Sequence, residues 1–328
     1  MNRFQKQLIQ SLARNKNKSI WNLIDENDSH LLKFLEINKH KSKLKISKNK
    51  FDIIKKINNL NCPNCEGRGL IIDKFFKDVL NKFRIIIKDR PPALSQFDQA
   101  FIKDEDVIKR VEFIYQRGDL LNSKILIIGD DDLLSIALAL TKLPQIVYVI
   151  EIDQRLTDFI NKTSKKFNLN IKTLKYDVRE PLPESFINKF DVFVTDPVET
   201  EKGLKSFLLR GLLSLNQNGS GYFGLTTSEA SLNKWFNIEK FILENGFVIT
   251  DIKRKFSVYP IIEDETSWKS FEDKLPISKI IKTKANYDWY SSSFVRIEKV
   301  KDIKIANKKI KIGMSFYVDK EALATPEN

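Results

Sequence analysis

The run Lys124-Ile-Leu-Ile-Ile-Gly129, followed by Asp130-Asp131-Asp132-Leu-Leu-Ser135-Ile-Ala-Leu-Ala-Leu140, constrains this chain more than any other stretch. An unbroken apolar run ending in glycine reads as a parallel strand covered on both faces. The apolar residues after Asp132 recur at helical spacing. A strand that turns directly into a helix opens a doubly wound α/β sheet, and nucleotide-type ligands bind at such turns. Phosphate-binding versions use glycines and bare amides at the helix start. Three consecutive carboxylates would repel a phosphate and attract a cation. The plainer reading gives Asp132 to the helix N-cap and a second acid to the helix dipole. The third aspartate has no such employment, and its place at the carboxyl end of a strand points to a functional cleft.

Strand and helix then alternate regularly. Strands are expected at 124–129, 146–152, 171–176, 190–195, 221–226 and 247–255, and helices at 132–142, 154–167, 200–215 and 231–245. That order specifies a doubly wound sheet with right-handed crossovers. A further strand at 291–298, reached after a long polar excursion, marks the methyltransferase variant of the Rossmann architecture. Residues 1–90 carry short helical patterns and a hairpin-like element, which suggest a winged-helix-like N-terminal domain. A helix over 73–88 ends before Arg90-Pro91-Pro92, the expected joint. The fold class is therefore α/β, with a small N-terminal domain at 1–90, a catalytic domain at 91–310 and a polar tail at 311–328, its last residues disordered.

The 328 residues suffice for two domains, and 42% hydrophobic with 30% charged residues is a globular composition. No apolar run approaches a membrane span and the start lacks a signal-peptide core, so a cytoplasmic protein is expected. The 56 Lys and Arg against 43 Asp and Glu give a formal +13, but much of the lysine falls in peripheral runs at 39–56 and 299–311. Such runs are solvated faces by default. Cys62-Pro-Asn-Cys65 is half of a zinc knuckle without a second pair, which favours a tight turn, or a site shared across a dimer, over a complete metal site. His30 and His40 both lie outside the α/β segment, so a general base there has to be a carboxylate, Lys or Tyr.

Functional side chains on such a sheet project from strand ends. Here they are Asp130, Asp131 and Asp132 after the first strand, Glu151 and Asp153 after the second, Asp177 in Tyr-Asp-Val178 after the third, and Asp196-Pro197-Val198-Glu199 after the fourth. Every strand end is acidic. An acid closing the second strand suits two ribose hydroxyls, and an Asp after the third can accept from an adenine amino group.

In this order of Gly-Asp-Asp-Asp, Val-Ile-Glu-Ile-Asp, Tyr-Asp-Val and Asp-Pro-Val-Glu-Thr, the chain resembles the branched-chain polyamine synthases, the N4-bis(aminopropyl)spermidine synthase family. Phe97-Asp98-Gln99 and Trp289-Tyr290-Ser-Ser resemble it too, as does a small domain before a methyltransferase-like one. The resemblance implies transfer of aminopropyl groups from decarboxylated S-adenosylmethionine, as co-substrate, to the secondary amine of spermidine and then to the tertiary amine formed. The residue chemistry agrees. The aspartates would repel the carboxylate of intact S-adenosylmethionine and attract the ammonium of the decarboxylated form. An acidic cleft would also concentrate a polycation. An alkylammonium has no lone pair, so the attacking nitrogen must first lose its proton.

On this reading Asp131 is the base, and Asp196, placed with it in the catalytic pair, orients and neutralises the polyamine together with Glu199. Gly129, Asp130, Glu151, Asp177 and Val178 hold the donor, and Asp132, Glu199, Gln99 and Trp289 hold the polyamine. No metal or further cofactor is required, because the sulfonium already activates the carbon–sulfur bond. A homodimer is expected, with neither membrane nor nucleic acid as partner. The rival is a methyltransferase acting on an amino group of a nucleic-acid base, suggested by Asp196-Pro197 but lacking the aromatic that would stack on the base. A winged-helix regulator that senses a polyamine or adenosyl ligand is a third reading.

Overall fold

The computed structural model describes residues 48–56, 67–226, 228–260, 285–311, 316–319 and 321, with single positions at 6, 10, 62, 64 and 65. Its strands are β1 Lys124–Ile128, β2 Ile146–Glu151, β3 Ile171–Lys175, β4 Phe190–Thr195, β5 Leu215–Thr226, β6 Phe247–Val258 and β7 Ser291–Lys299. The helices among the described residues are α1 Lys48–Lys56, α2 Lys74–Ile87, α3 Asp104–Gln116, α4 Leu134–Leu140, α5 Gln154–Phe167, α6 Glu201–Ser214 and α7 Leu232–Glu244. All seven strands join one sheet in the order β3-β2-β1-β4-β5-β7-β6. β1 to β5 pair in parallel, and β7 runs antiparallel between β5 and β6. This is the Rossmann-like sheet with a late reversed strand that the sequence predicts.

The apolar run of β1 follows from burial on both faces. Ile125 and Ile127 enter a core shared with α2, α3, α4 and α5, whereas Leu126 and Ile128 enter a second core shared with α6 and α7. A period of two thus sends alternate residues into different layers, and neither layer tolerates a polar side chain. Helix starts are fixed locally. Asp153 accepts from Arg155 N, Thr200 from Gly203 N and Ser231 from Lys234 N, each supplying an acceptor to a helix end that has none of its own. The strand order reverses between β1 and β4, which opens a crevice beyond their carboxyl ends.

Three features differ from expectation. Helix α3 lies where the sequence reading placed no element. Its pattern was nonetheless present, with Asp104, Glu105 and Asp106 in the first turn and Val107, Ile108, Val111 and Ile114 on one buried face. Helix α2, placed before the joint at Arg90-Pro91-Pro92, packs Phe76, Val79, Leu80, Phe83 and Ile86 into the sheet's own core, so that core runs across the joint. Of the tail, Phe316 is buried and Glu321 accepts from the backbone and hydroxyl of Ser231. Of the winged-helix reading, α1 and α2 are described, no strand occurs among the described residues before Lys124, and the rest falls outside the described residues. No helix among them is long and apolar enough to cross a membrane.

Phe193 of β4 is wedged between two glycines. A Cβ on Gly211 of α6 would come within 2.5 Å of its ring, and one on Gly221 of β5 within 2.2 Å. Gly211→Ala and Gly221→Ala should each destabilise the protein by about 1–3 kcal/mol, the usual cost of overpacking a filled core. Urea unfolding measures this, and wild-type stability in both variants would show that the ring has room to move.

Candidate active site

The crevice at the switch point is a cleft of about 740 Å3, open to solvent on one side. Gly129, Asp131, Glu151, Asp177, Val178 and Asp196, all predicted from the strand ends, line it. Gly129 adopts φ 73, a left-handed conformation that favours glycine, as the chain leaves β1. Glu151, buried at the end of β2, accepts from Asp130 N at 2.8 Å and Asp153 N at 2.9 Å. Burial raises its pKa, and those two amides restrain the rise. Asp177 is the opposite case. Burial pushes it up, but hydrogen bonds from Arg179 outweigh that and hold it below the usual carboxylate range.

The three aspartates have different environments. Asp131 faces the cleft and takes one hydrogen bond among the described residues, from Ala100 N at 3.1 Å. Burial, then the charges of Asp132, Asp196 and Glu151, push its pKa well up. Asp132 does not cap the helix, contrary to expectation. Leu133 takes a left-handed conformation, the helix starts at Leu134 without a side-chain cap, and Asp132 turns inward to Ile102 N at 2.8 Å and Arg110 at 3.3 Å. Its pKa is pushed up to about 6 by burial, with Arg110 opposing. Asp130, expected beside the donor, instead closes the turn. Its oxygens accept from the backbone and hydroxyl of Ser135, and burial raises its pKa.

Sequence reasoning missed Arg110, the fully buried residue at the middle of α3. Its guanidinium bridges Asp132 and Asp196 (2.9 Å), donates to Ser257 (2.8 Å) and Ser292 (3.3 Å), and lies 5.0 Å over the Phe294 ring. Asp196 also accepts from the Tyr259 hydroxyl at 2.9 Å. A Cβ on Gly224 would fall 1.7 Å from the other Asp196 oxygen, so only glycine leaves that carboxylate its place.

Beyond Asp196 the acids continue. Glu199 accepts from Thr226 N at 3.0 Å, and its second oxygen is buried with no hydrogen-bond partner among the described residues. Burial, then Glu229 and Asp196, raise its pKa well above normal. Glu229, also missed, accepts from the Tyr290 hydroxyl at 3.0 Å. Lys234 is the nearby cation, but its ammonium is spent on the Glu199 and Glu229 carbonyls and on Asp319. Trp289 stands behind this row, edge-on to Tyr290 with ring centroids 5.6 Å apart. Gln99 reaches the cleft wall while bonded to Asp153 at 3.0 Å and Leu94 N at 2.8 Å. Phe316 and Tyr317 line the cleft as well, a contribution no local pattern announces. Cys62 and Cys65 are free thiols, and no group of three or more metal-ligating side chains occurs among the described residues.

The model of the branched-chain polyamine synthase A C-terminal domain matches residues 78–324. The chain belongs to this family. The N(4)-bis(aminopropyl)spermidine synthase of Thermococcus kodakarensis is 40% identical over 270 residues, covering 80% of this chain and 74% of that protein. The protein of the same name from Methanocaldococcus jannaschii is 39% identical over 269 residues, covering 80% and 75%. Among solved structures, the Thermus thermophilus branched-chain polyamine synthase in complex with N4-aminopropylspermidine and 5'-methylthioadenosine aligns with a TM-score of 0.81 at 31% identity, over 97% of this chain and 92% of that one. Membership in a polyamine synthase family decides against the base-methylating and regulatory readings.

Burial and mutual repulsion raise the pKa values of Asp131 and Glu199, so each holds its proton to a higher pH than an ordinary carboxyl. A polyamine stabilises their ionised forms, so binding lowers their pKa values and expels protons. Titrating spermidine into the protein between about pH 6 and 7 in buffers of different ionisation enthalpy should therefore show net proton release. Proton uptake would mean that the polyamine does not meet these groups.

Proposed function

We infer that this chain transfers the aminopropyl group of decarboxylated S-adenosylmethionine to N4 of spermidine, then to the tertiary amine so formed, releasing 5'-methylthioadenosine each time. The observation that carries this reading is the row Asp131, Asp196, Glu199 and Glu229, which extends from a nucleoside-sized cleft and outnumbers the cations among it. A linear polycation matches such a row in shape and charge.

The chemistry follows from placement. The N4 lone pair attacks the aminopropyl carbon on sulfur, the C–N bond forms, the C–S bond breaks, and its electron pair neutralises the sulfonium to a thioether. In the first transfer N4 ends with a proton to lose. In the second it becomes quaternary, so the tertiary amine must already be deprotonated. Asp131 suits both demands, being the cleft aspartate not tied to a guanidinium and having a raised pKa, which makes it a stronger proton acceptor. Asp196, held by Arg110 and Tyr259, is fixed in position and orients the polyamine along the path. Glu151 receives the ribose hydroxyls and the 177–178 turn the adenine. Glu199 and Glu229 take a terminal ammonium. Asp130 supports the turn through Ser135 rather than touching the donor. The cytoplasmic location belongs to this reading, because the substrates are small charged metabolites of the cell interior, and a homodimer is proposed with it. Sedimentation velocity tests the dimer.

Three measurements follow. Asp131→Asn should lower turnover by about two to four orders of magnitude with little change in donor affinity. Near-normal turnover there, beside an inactive Asp196→Asn, would move the base to Asp196. Calorimetry should find decarboxylated S-adenosylmethionine binding far more tightly than the intact cofactor, and equal affinities would contradict the cation-selective cleft. Gly224→Ala should displace the Asp196 carboxylate and reduce turnover by about tenfold or more, since a misplacement of one ångström is that costly. Full activity in this variant would show that Asp196 does not need its present position.

A further inference from the structure

We propose that Arg210 is a positioning residue for the nucleoside half of the donor, acting through the backbone of the 177–179 loop without touching the ligand. The inference rests on the reading that this loop and Glu151 receive the adenosyl group.

Arg210 lies on α6 and is wholly buried, yet none of its hydrogen-bond partners is a carboxylate. Its Nε donates to Val178 O at 2.9 Å, its Nη2 to Lys308 O at 2.8 Å and Arg179 O at 3.4 Å, and its Nη1 to the Asn307 side-chain oxygen at 3.0 Å. Burial lowers the pKa of the guanidinium, the mark of a charge removed from water without a full counterion. Such a group is expensive to bury, and a leucine would fill the space at lower cost. What a leucine lacks is a planar fork of donors able to fix several carbonyls at once.

The fixed carbonyls belong to two segments, of which the first lines the cleft. Val178 and Arg179 form part of its wall. Asn307 grips the far side of the same loop, accepting from Leu182 N at 2.8 Å and donating to Leu182 O at 2.7 Å, and Ile310 N donates to Arg179 O at 2.8 Å. One guanidinium therefore sets the shape of the loop that carries Asp177. On the same helix, three residues before Arg210, Phe207 reaches the cleft wall directly. The acids that face the polyamine sit on other elements, so Arg210 acts on the donor end alone.

Full-length Arg210→Met, Asn307→Ala and Glu151→Gln test this, with 5'-methylthioadenosine binding measured by calorimetry and steady-state kinetics on decarboxylated S-adenosylmethionine and spermidine. Arg210→Met should weaken methylthioadenosine and raise the donor KM by about 10- to 100-fold, as expected when hydrogen bonds from a charged group are lost. Turnover at saturating donor, its pH profile and the spermidine KM should stay within about twofold, a split that general loosening would not produce. Asn307→Ala removes one of the Arg210 contacts and should show the same split at about three- to tenfold; it decides the matter if Arg210→Met does not fold. Unchanged methylthioadenosine binding in these variants beside weakened binding in Glu151→Gln overturns the inference and leaves the cleft assignment standing. A joint loss of turnover and of both affinities also overturns it. Unchanged binding in Glu151→Gln overturns the cleft assignment and the inference together.

Discussion

The site is organised around one buried cation. Arg110 sits between Asp132 and Asp196, carboxylates that come from the ends of different strands and would otherwise repel each other across the switch point. Removing three charges from water is costly, and the geometry offsets that cost by filling the guanidinium's donors with two carboxylates and two serine hydroxyls above a phenylalanine ring. The compensation is deliberately incomplete in charge. Asp131, Glu199 and Glu229 remain in excess, so the cleft keeps a negative field directed at whatever enters it. Without Arg110, Asp132 would lose the cation that opposes the rise of its pKa. Helix α3 thereby positions the site although none of its residues lines the cleft.

The sheet explains why these groups can be so close. A parallel strand buried on both faces cannot carry acids along its length, so they gather where the strand stops, and parallel strands stop at the same edge. β1, β2 and β4 end there together, and β5 brings Gly224 beside Asp196. The antiparallel β7 adds Ser292 to the Arg110 shell and, just ahead of its start, Tyr290 to the Glu229 side.

How much of this was legible in the chain depended on range. The strands and five of the helices were readable because their signals are periodic and local, and Asp131, Glu151, Asp177 and Asp196 were readable because strand ends are predictable from strands. Arg110 was not. Its partners Asp132, Asp196, Ser257 and Ser292 are scattered over the rest of the sequence, and an arginine inside an amphipathic pattern looks like surface charge until the fold surrounds it. Glu229 and Tyr259 escaped for the same reason. Asp132 was misread as a cap because a left-handed Leu133, an unfavourable conformation for that residue, delays the helix by one position. The resemblance to the polyamine synthases carried the reaction but did not reveal these supporting contacts.

β6 and β7 enclose one more consequence. The chain leaves the sheet after Tyr259 and returns at Tyr290, and there Tyr259 N donates to Tyr290 O at 3.0 Å while the two rings meet edge to face with centroids 5.2 Å apart. These tyrosines also touch Asp196 and Glu229. The exit and the re-entry are thus fastened to each other and to the site by the same pair of residues. The spacing of the Asp196 and Glu229 carboxylates is therefore set by this tyrosine clasp, whatever sequence joins its two halves.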